Sequence, residues 1–312
     1  MYVKTYYRLV ISYRVAKWIR LLNAFRDAVF TFIRTIERAL EDFTLTQSEV
    51  LLRVRDLLNK AKVEDKMVHT IGMGRSGLAG RFFADLLKLY GVKASVIGDV
   101  LAKPVGGGDV VFAFSGSGWT STTTMYAEMC IKRGATLVAV TSTPRSKLDR
   151  LADISIYLPG KPILDESDYM ARKIAGKYKS PLAPMGSINE FAALLFGAGM
   201  AATITCDDAV KCFERTIRSI LDVCRKSLNK VLKEREKLEK FIDEYVNAKN
   251  NNRVCYFSGL GLLEHISWMI AIRFQHLGLR VGGISDWILR KPGDILTVIS
   301  GSGEAPIPKI LA

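Results

Sequence analysis

Residues Met67-Val68-His69-Thr70-Ile71-Gly72-Met73-Gly74-Arg75-Ser76-Gly77 decide the fold. A short apolar run ends in glycines, and helical periodicity from Ser76 to Leu89 follows at once, which reads as a buried strand turning into a helix. Working outward, Ala94 to Ile97, Val110 to Phe114, Thr136 to Val140 and Ile154 to Leu158 are further β-prone runs. Helical connections lie at Ser121 to Lys132 and Ser146 to Leu151. Strands alternating with helices of about ten residues predict an α/β fold, a doubly wound parallel sheet with helices on both faces. Right-handed crossovers leave few topologies for it. Ser187 is placed as the cap of the next helix, which continues through the apolar stretch Phe191 to Cys206. That stretch is too short for a membrane span and carries Gly197 and Gly199, so it is expected to be a buried helix.

The flanks are of different material. Residues Met1 to Thr44 read as one or two amphipathic helices, with Leu21, Leu22, Phe25, Val29, Phe32 and Ile36 at spacings of three and four and Arg20, Arg26, Arg34 and Arg38 between them. A helix packed on the domain with an exposed basic face is favoured over a membrane-surface helix. From Asp207 to Asn252 the chain is dense in Lys, Arg and Glu around a thin apolar seam, a long helix or helix pair with a solvated face. Asn247 to Asn252 closes it. The expected organisation is a basic N-terminal extension over 1–24, a complete unit over 25–206, a charged helical linker over 207–252 and a truncated repeat over 253–312.

Composition narrows the function classes. The 312 residues are 49% hydrophobic and 24% charged, which excludes bulk disorder. Lys+Arg 45 against Asp+Glu 31 gives +14, favouring anionic ligands. No recognition helix is evident in residues 1–66, so nucleic acid is not an expected partner. The five cysteines, Cys130, Cys206, Cys212, Cys224 and Cys255, show no C-x-x-C spacing and are expected to be free thiols of a reducing, cytoplasmic compartment. The N-terminus lacks the uncharged core of a signal peptide.

The chain repeats itself. Gly72, Gly74, Gly91 and Asp99 match Gly259, Gly261, Gly278 and Asp286 at one offset of 187. Pro104, Asp109 and Ser115-Gly116-Ser117-Gly118 match Pro292, Asp294 and Ser300-Gly301-Ser302-Gly303 at nearly the same offset. A shared glycine skeleton of this length is read as duplication. The copies are unequal: Ser76 becomes Leu263 and Thr120 becomes Ala305, and the chain stops soon after Gly303. The second copy is expected to be structural or broken, with its third strand left as an open edge.

Two loops carry the chemistry, each placed directly after a strand. In Gly72-Met73-Gly74-Arg75-Ser76-Gly77, glycines let the backbone approach a ligand and the helix start offers N–H groups to an anion. A dinucleotide fingerprint fails, because Leu78 stands where its last glycine belongs. In Ser115-Gly116-Ser117-Gly118-Trp119-Thr120, three hydroxyls on a Gly-rich turn form a phosphate cradle. No Walker lysine accompanies it, so a phosphate monoester fits better than a triphosphate. At successive odd strands of a parallel sheet, both loops open on the switch-point crevice.

G-x-G-R-S-G followed about forty residues later by S-G-S-G-x-T resembles the sugar isomerase (SIS) family. Within it, Pro184-Met185-Gly186-Ser187 followed by Glu190 is similar to the 6-phospho-3-hexuloisomerases of the ribulose monophosphate pathway. The likeness covers roughly residues 25–206, and weakly 253–303. It implies a five-stranded, flavodoxin-like sheet plus a partial second SIS-like unit. It implies that Gly74, Ser76 and the loop Ser115, Gly116, Ser117, Gly118, Trp119 and Thr120 bind a sugar phosphate. Glu190 is implied as the catalytic base that carries a proton between neighbouring carbons through an enediol, a reaction needing no metal or cofactor. Arg75 would stabilise the enediolate or contact the phosphate. Read as residues alone, Glu190 is also the acidic residue that a helix first turn favours, and Arg75 a surface cation.

The departures from the family count as well. No histidine lies between His69 and His265, where the family carries one after this helix, and Ser121 replaces its acidic residue. His69 falls inside the first strand and is expected to be buried structure; His265 and His276 are expected on a helix face of the second copy, with a reach from there into a partner unit's site as the alternative. A ketol isomerase acting on 3-hexulose 6-phosphate is the leading reading. An aldose–ketose isomerase of the phosphoglucose/phosphomannose type, a non-catalytic phosphosugar sensor and a structural protein with a decayed site are the alternatives. A homo-oligomer, dimer or tetramer, is expected under each.

Overall fold

The computed structural model describes residues 2–160, 187–283 and 291–303, with side chains described for Asn23 and from residue 25 onward apart from that of Ser187. Pro184, Met185, Gly186, Asp286 and Ala305 lie outside the described residues, as do the side chains of Leu21 and Leu22. The chain opens with α1 (Tyr2–Val63), followed by β1 (Val68–Gly72), α2 (Gly74–Leu89), β2 (Ala94–Val96), β3 (Val110–Phe114), α3 (Ser121–Lys132), β4 (Thr136–Thr141), α4 (Lys147–Leu151) and β5 (Ile154–Tyr157). Then come α5 (Ser187–Thr203), α6 (Ala209–Lys233), α7 (Arg235–Asn250), β6 (Val254–Gly259), α8 (Leu262–His276), β7 (Arg280–Gly283) and β8 (Ile295–Ile299).

The first five strands form one parallel sheet in the order β2-β1-β3-β4-β5, the flavodoxin-like order. Alternate residues of its strands serve opposite faces, as a period of two requires. Val68, Val110, Phe112, Phe114, Val138 and Val140 pack toward α1, α2, α5 and α6. Ile71, Val111, Ala113, Leu137 and Ala139 pack toward Ala127 and Cys130 of α3 and Leu148 of α4. On the first face a chain of rings, Phe112–Phe83–Phe196–Phe213–Phe43, joins the sheet to four helices with centroids 5.0–6.2 Å apart. Burial of each such ring stabilises the fold by about 1.5–3 kcal/mol.

The N-terminal helix is longer than its periodicity predicts. It continues without a break through residue 24 and kinks once, at Gln47, whose backbone leaves helical geometry at φ −126°. There the Gln47 amide donates from Nε2 to the Tyr157 carbonyl and accepts from the Tyr157 N–H at Oε1, both at 3.0 Å. Ile33, Ile36, Leu40 and Phe43 are buried and Arg34 and Arg38 exposed, the arrangement of a helix packed on the domain. The charged segment that follows α5 is a helix pair, α6 and α7, parted at Glu234. Among the described residues, no helix is long and apolar enough to cross a membrane.

The partial second unit is a three-stranded parallel sheet, β7-β6-β8, the same order as β2-β1-β3. The likeness extends to single bonds. Lys62 Nζ donates to the Tyr90 carbonyl at 2.8 Å, and Lys249 Nζ to the Leu277 carbonyl at 2.6 Å. Asp109 accepts from the Met67 N–H, and Asp294 from the Val254 N–H, both at 3.0 Å. Gly74 and Gly261 hold φ of +55° and +57°, Gly118 and Gly303 of +67° and +69°.

One expectation is corrected. Cys206 and Cys212 are not free: the turn between α5 and α6 brings their Cα atoms to 6.5 Å and they form a disulfide. A C-x₅-C spacing carries no motif, and only the folded turn makes the pair; Cys130, Cys224 and Cys255 are thiols. Closing so short a loop contributes about 2 kcal/mol. Reductant, or Cys206→Ser, is expected to lower the melting temperature by about 3 °C. A melt unchanged by both would show that the crosslink adds nothing.

Candidate functional site

At the end of β1 the chain must turn within two residues into α2, and glycines make that turn possible. A Cβ on Gly72 would lie 2.8 Å from the Gly77 nitrogen, and one on Gly77 would lie 2.5 Å from the Gly72 carbonyl oxygen. Strand end and helix start therefore touch backbone to backbone. Gly74 has open space around its Cα and is required for its φ of +55° instead. Arg75 and Ser76 follow in the first turn of α2, both partly buried.

The second loop is fixed by its own hydroxyls. Ser115 Oγ accepts from the Gly118 N–H and Ser117 Oγ from the Trp119 N–H, each at 3.1 Å. Ser115 Oγ also meets Thr120 Oγ1 at 3.1 Å. The Gly116 carbonyl is held by Ser142 Oγ at 2.7 Å, Thr143 Oγ1 at 3.1 Å and the Ser142 N–H at 3.0 Å. A hydroxyl whose oxygen accepts a backbone N–H keeps its own hydrogen to donate, so Ser117 presents a donor at a helix start. The Arg150 guanidinium lies 5.8 Å from the Trp119 ring centroid. This loop has the donors and the rigidity that a phosphate needs.

The third component is α5, which joins the two loops. Asn189 packs on the second loop so closely that a Cβ on Gly116 would stand 2.6 Å from its Oδ1. Its neighbour Glu190 reaches the first loop, where Arg75 Nη1 lies 2.8 Å from Oε2. The same oxygen accepts from Arg273 Nη2 at 2.6 Å. The structure thus brings Gly74, Arg75, Ser76, the loop 115–120 and Glu190 to one end of the sheet. Glu190 is more than a first-turn acid, and Arg75, with its side chain 15% exposed, is no surface cation.

Burial pushes the Glu190 carboxyl up to about 7, and the charges of Arg75 and Arg273 hold it from rising further. A carboxyl poised there exchanges protons readily at neutral pH. His69 is fully buried, 3.3 Å from Asp109, and burial holds its imidazole below the usual range. His276 at the end of α8 is likewise lowered, by desolvation and then by Arg75 and Arg273.

Sequence reasoning misses Asn189 and Arg273 and places His276 only on a helix face of the second copy. Asn189 adjoins Glu190 and was within reach of a motif reading. Arg273 and His276 lie in the second unit, and their sequence distance from Glu190 gives no sign of contact. The second unit, expected to be structural or broken, places the end of its helix α8 against the Glu190 carboxylate.

The comparisons with known proteins agree with this architecture. The SIS domain profile matches residues 63–172. An uncharacterized protein of Aeropyrum pernix is 36% identical over 171 residues, 50% of this chain and 80% of that protein. A Bacillus subtilis protein named 3-hexulose-6-phosphate isomerase is 36% identical over 129 residues, 41% of this chain and 65% of that protein. The solved C-terminal domain of glucosamine-fructose-6-phosphate aminotransferase from Francisella tularensis shares the fold at a TM-score of 0.53 and 16% identity, over 82% of this chain and 69% of that one. With the glycine loops, the sheet order and a relative matched over most of its length, the chain belongs to the SIS domain family.

Proposed function

We propose that this chain is a phosphosugar ketol isomerase interconverting 3-hexulose 6-phosphate and fructose 6-phosphate. The observation that carries the reading is Glu190, a largely buried carboxyl near neutrality set between two glycine loops at one end of a parallel sheet. The name of the Bacillus subtilis relative supports the choice of substrate.

In this reading the loop Ser115–Thr120 and the start of α2 hold the 6-phosphate. The Glu190 carboxylate takes the proton from the carbon beside the carbonyl, and the electron pair of that C–H bond moves into an enediolate. A proton shifts between the two enediol oxygens, and Glu190 returns its proton to the former carbonyl carbon. Atoms and electrons balance without a metal or an external oxidant. Arg75, which lies 2.8 Å from Glu190 Oε2, is the cation that would stabilise the negative charge developing on the enediolate oxygen.

Purified protein given 3-hexulose 6-phosphate is expected to form fructose 6-phosphate. Absence of turnover, with fructose 6-phosphate still raising the melting temperature, would replace the enzyme by a phosphosugar-binding module. The base must be ionised to act, so activity is expected to fall as pH drops through about 7 and to level off above it. A rate independent of pH between about 5 and 8 would remove Glu190 from the proton transfer.

A further inference from the structure

We propose that the second unit is a working part of the reaction centre, with α8 supplying Arg273 as a positioning residue for Glu190, so that one chain assembles its site from both units. The proposal rests on the reading of Glu190 as the base.

The docking of α8 is specified at three points of one helix face. His265, Met269 and Arg273 are spaced by four and fall on the same side of the helix. His265 Nε2 lies 2.8 Å from Asp85 Oδ2, near the C-terminal end of α2. Met269 is buried in the main core of the first unit, among residues of its sheet and helices. Arg273 reaches Glu190, beside Arg75 at the N-terminal end of α2. The two helices therefore run antiparallel, with an apolar contact between two polar ones. Each follows the first strand of its sheet, β1 or β6, which makes their pairing a pseudo-two-fold contact within the chain.

This docking gives Arg273 one electrostatic consequence. Glu190 is largely withdrawn from solvent, its side chain 13% exposed, and a carboxylate so placed persists only when compensated. Arg75 and Arg273 both approach Oε2, so the positive charge that keeps the carboxyl ionisable is divided between the two units. Loss of the Arg273 share would leave Glu190 protonated, and idle as a base, at neutral pH. The side chain acts through Glu190, which is why its effect should appear in a titration before it appears in binding.

Arg273→Gln, Arg273→Lys and Asp85→Asn test this in the full chain. The Glu190 carboxyl is followed by ¹³C NMR of glutamate-labelled protein, its signal assigned by its loss in Glu190→Gln, and kcat/KM is followed against pH. Arg273→Gln is expected to move the titration and the acid limb of kcat/KM upward by about one pH unit or more, with Arg273→Lys recovering part of the shift. Asp85→Asn loosens the same helix pair away from Glu190 and is expected to lower the melting temperature while leaving the titration in place. An unmoved titration in Arg273→Gln, or equal movement in Asp85→Asn, would overturn the proposal. If the wild-type protein turns over no hexulose phosphate, the isomerase reading fails, and the NMR titration still decides whether Arg273 governs Glu190.

Discussion

Glu190→Gln is expected to reduce kcat by about three orders of magnitude, the range that a positioned base contributes. The amide is nearly isosteric and can still accept from Arg75 and Arg273, so the protein is expected to stay folded with the 115–120 loop unaltered. KM should change little, because the phosphate contacts lie on other elements. The result is read from initial rates of fructose 6-phosphate formation, with fructose 6-phosphate raising the melting temperature of the variant as a check on binding. A variant with wild-type kcat would exclude Glu190 as the proton carrier, while a proportionate rise in KM would make it a binding residue.

Gly118→Ala is expected to produce the largest loss of stability together with a loss of affinity. Its φ of +67° strains any residue with a side chain, and the new Cβ would stand 1.9 Å from Ser146 Oγ and 3.2 Å from Thr141 Oγ1. Ser146 cannot yield freely, since its side chain caps α4 by accepting from the Asp149 N–H. The Gly118 carbonyl is itself tied to the Leu148 N–H at 3.0 Å. Left-handed strain and overpacking together cost about 3 kcal/mol. The loop must shift, and KM for the phosphosugar is expected to rise at least about tenfold with kcat less affected. Gly301→Ala is the comparison, because a Cβ at Gly301 meets nothing within 4 Å. Denaturant melts and KM values for both variants check this; a neutral Gly118→Ala would show that the loop is not built as described.

Much of the fold was legible because it is written in local patterns. The strand runs, the helices between them and the glycines at each strand end follow from burial and turn chemistry that neighbouring residues share. The two loops could be placed for the same reason, and their convergence followed from the handedness of parallel connections. Other features depend on distant parts of the chain. Arg273 meets Glu190 only because His265 and Met269 seat α8 on α2, and a spacing of four is common to every helix that covers a core. Cys206 and Cys212 pair because a turn reverses the chain between them, which no spacing announces. The length of α1 was underestimated because the packing of Leu51, Val54 and Leu58 against the first sheet's core continues past the point where its basic pattern fades.

The kink at Gln47 bears on what the five-stranded sheet can do to its neighbours. β5 is one of its two outer strands, and an outer strand ordinarily displays free N–H and C=O groups to any extended chain that passes. Here a primary amide with one donor and one acceptor occupies both groups of Tyr157, as the backbone of another strand would. One side chain, released from helical geometry at a single residue, thus satisfies the rim of the sheet at that point and denies it to a passing strand.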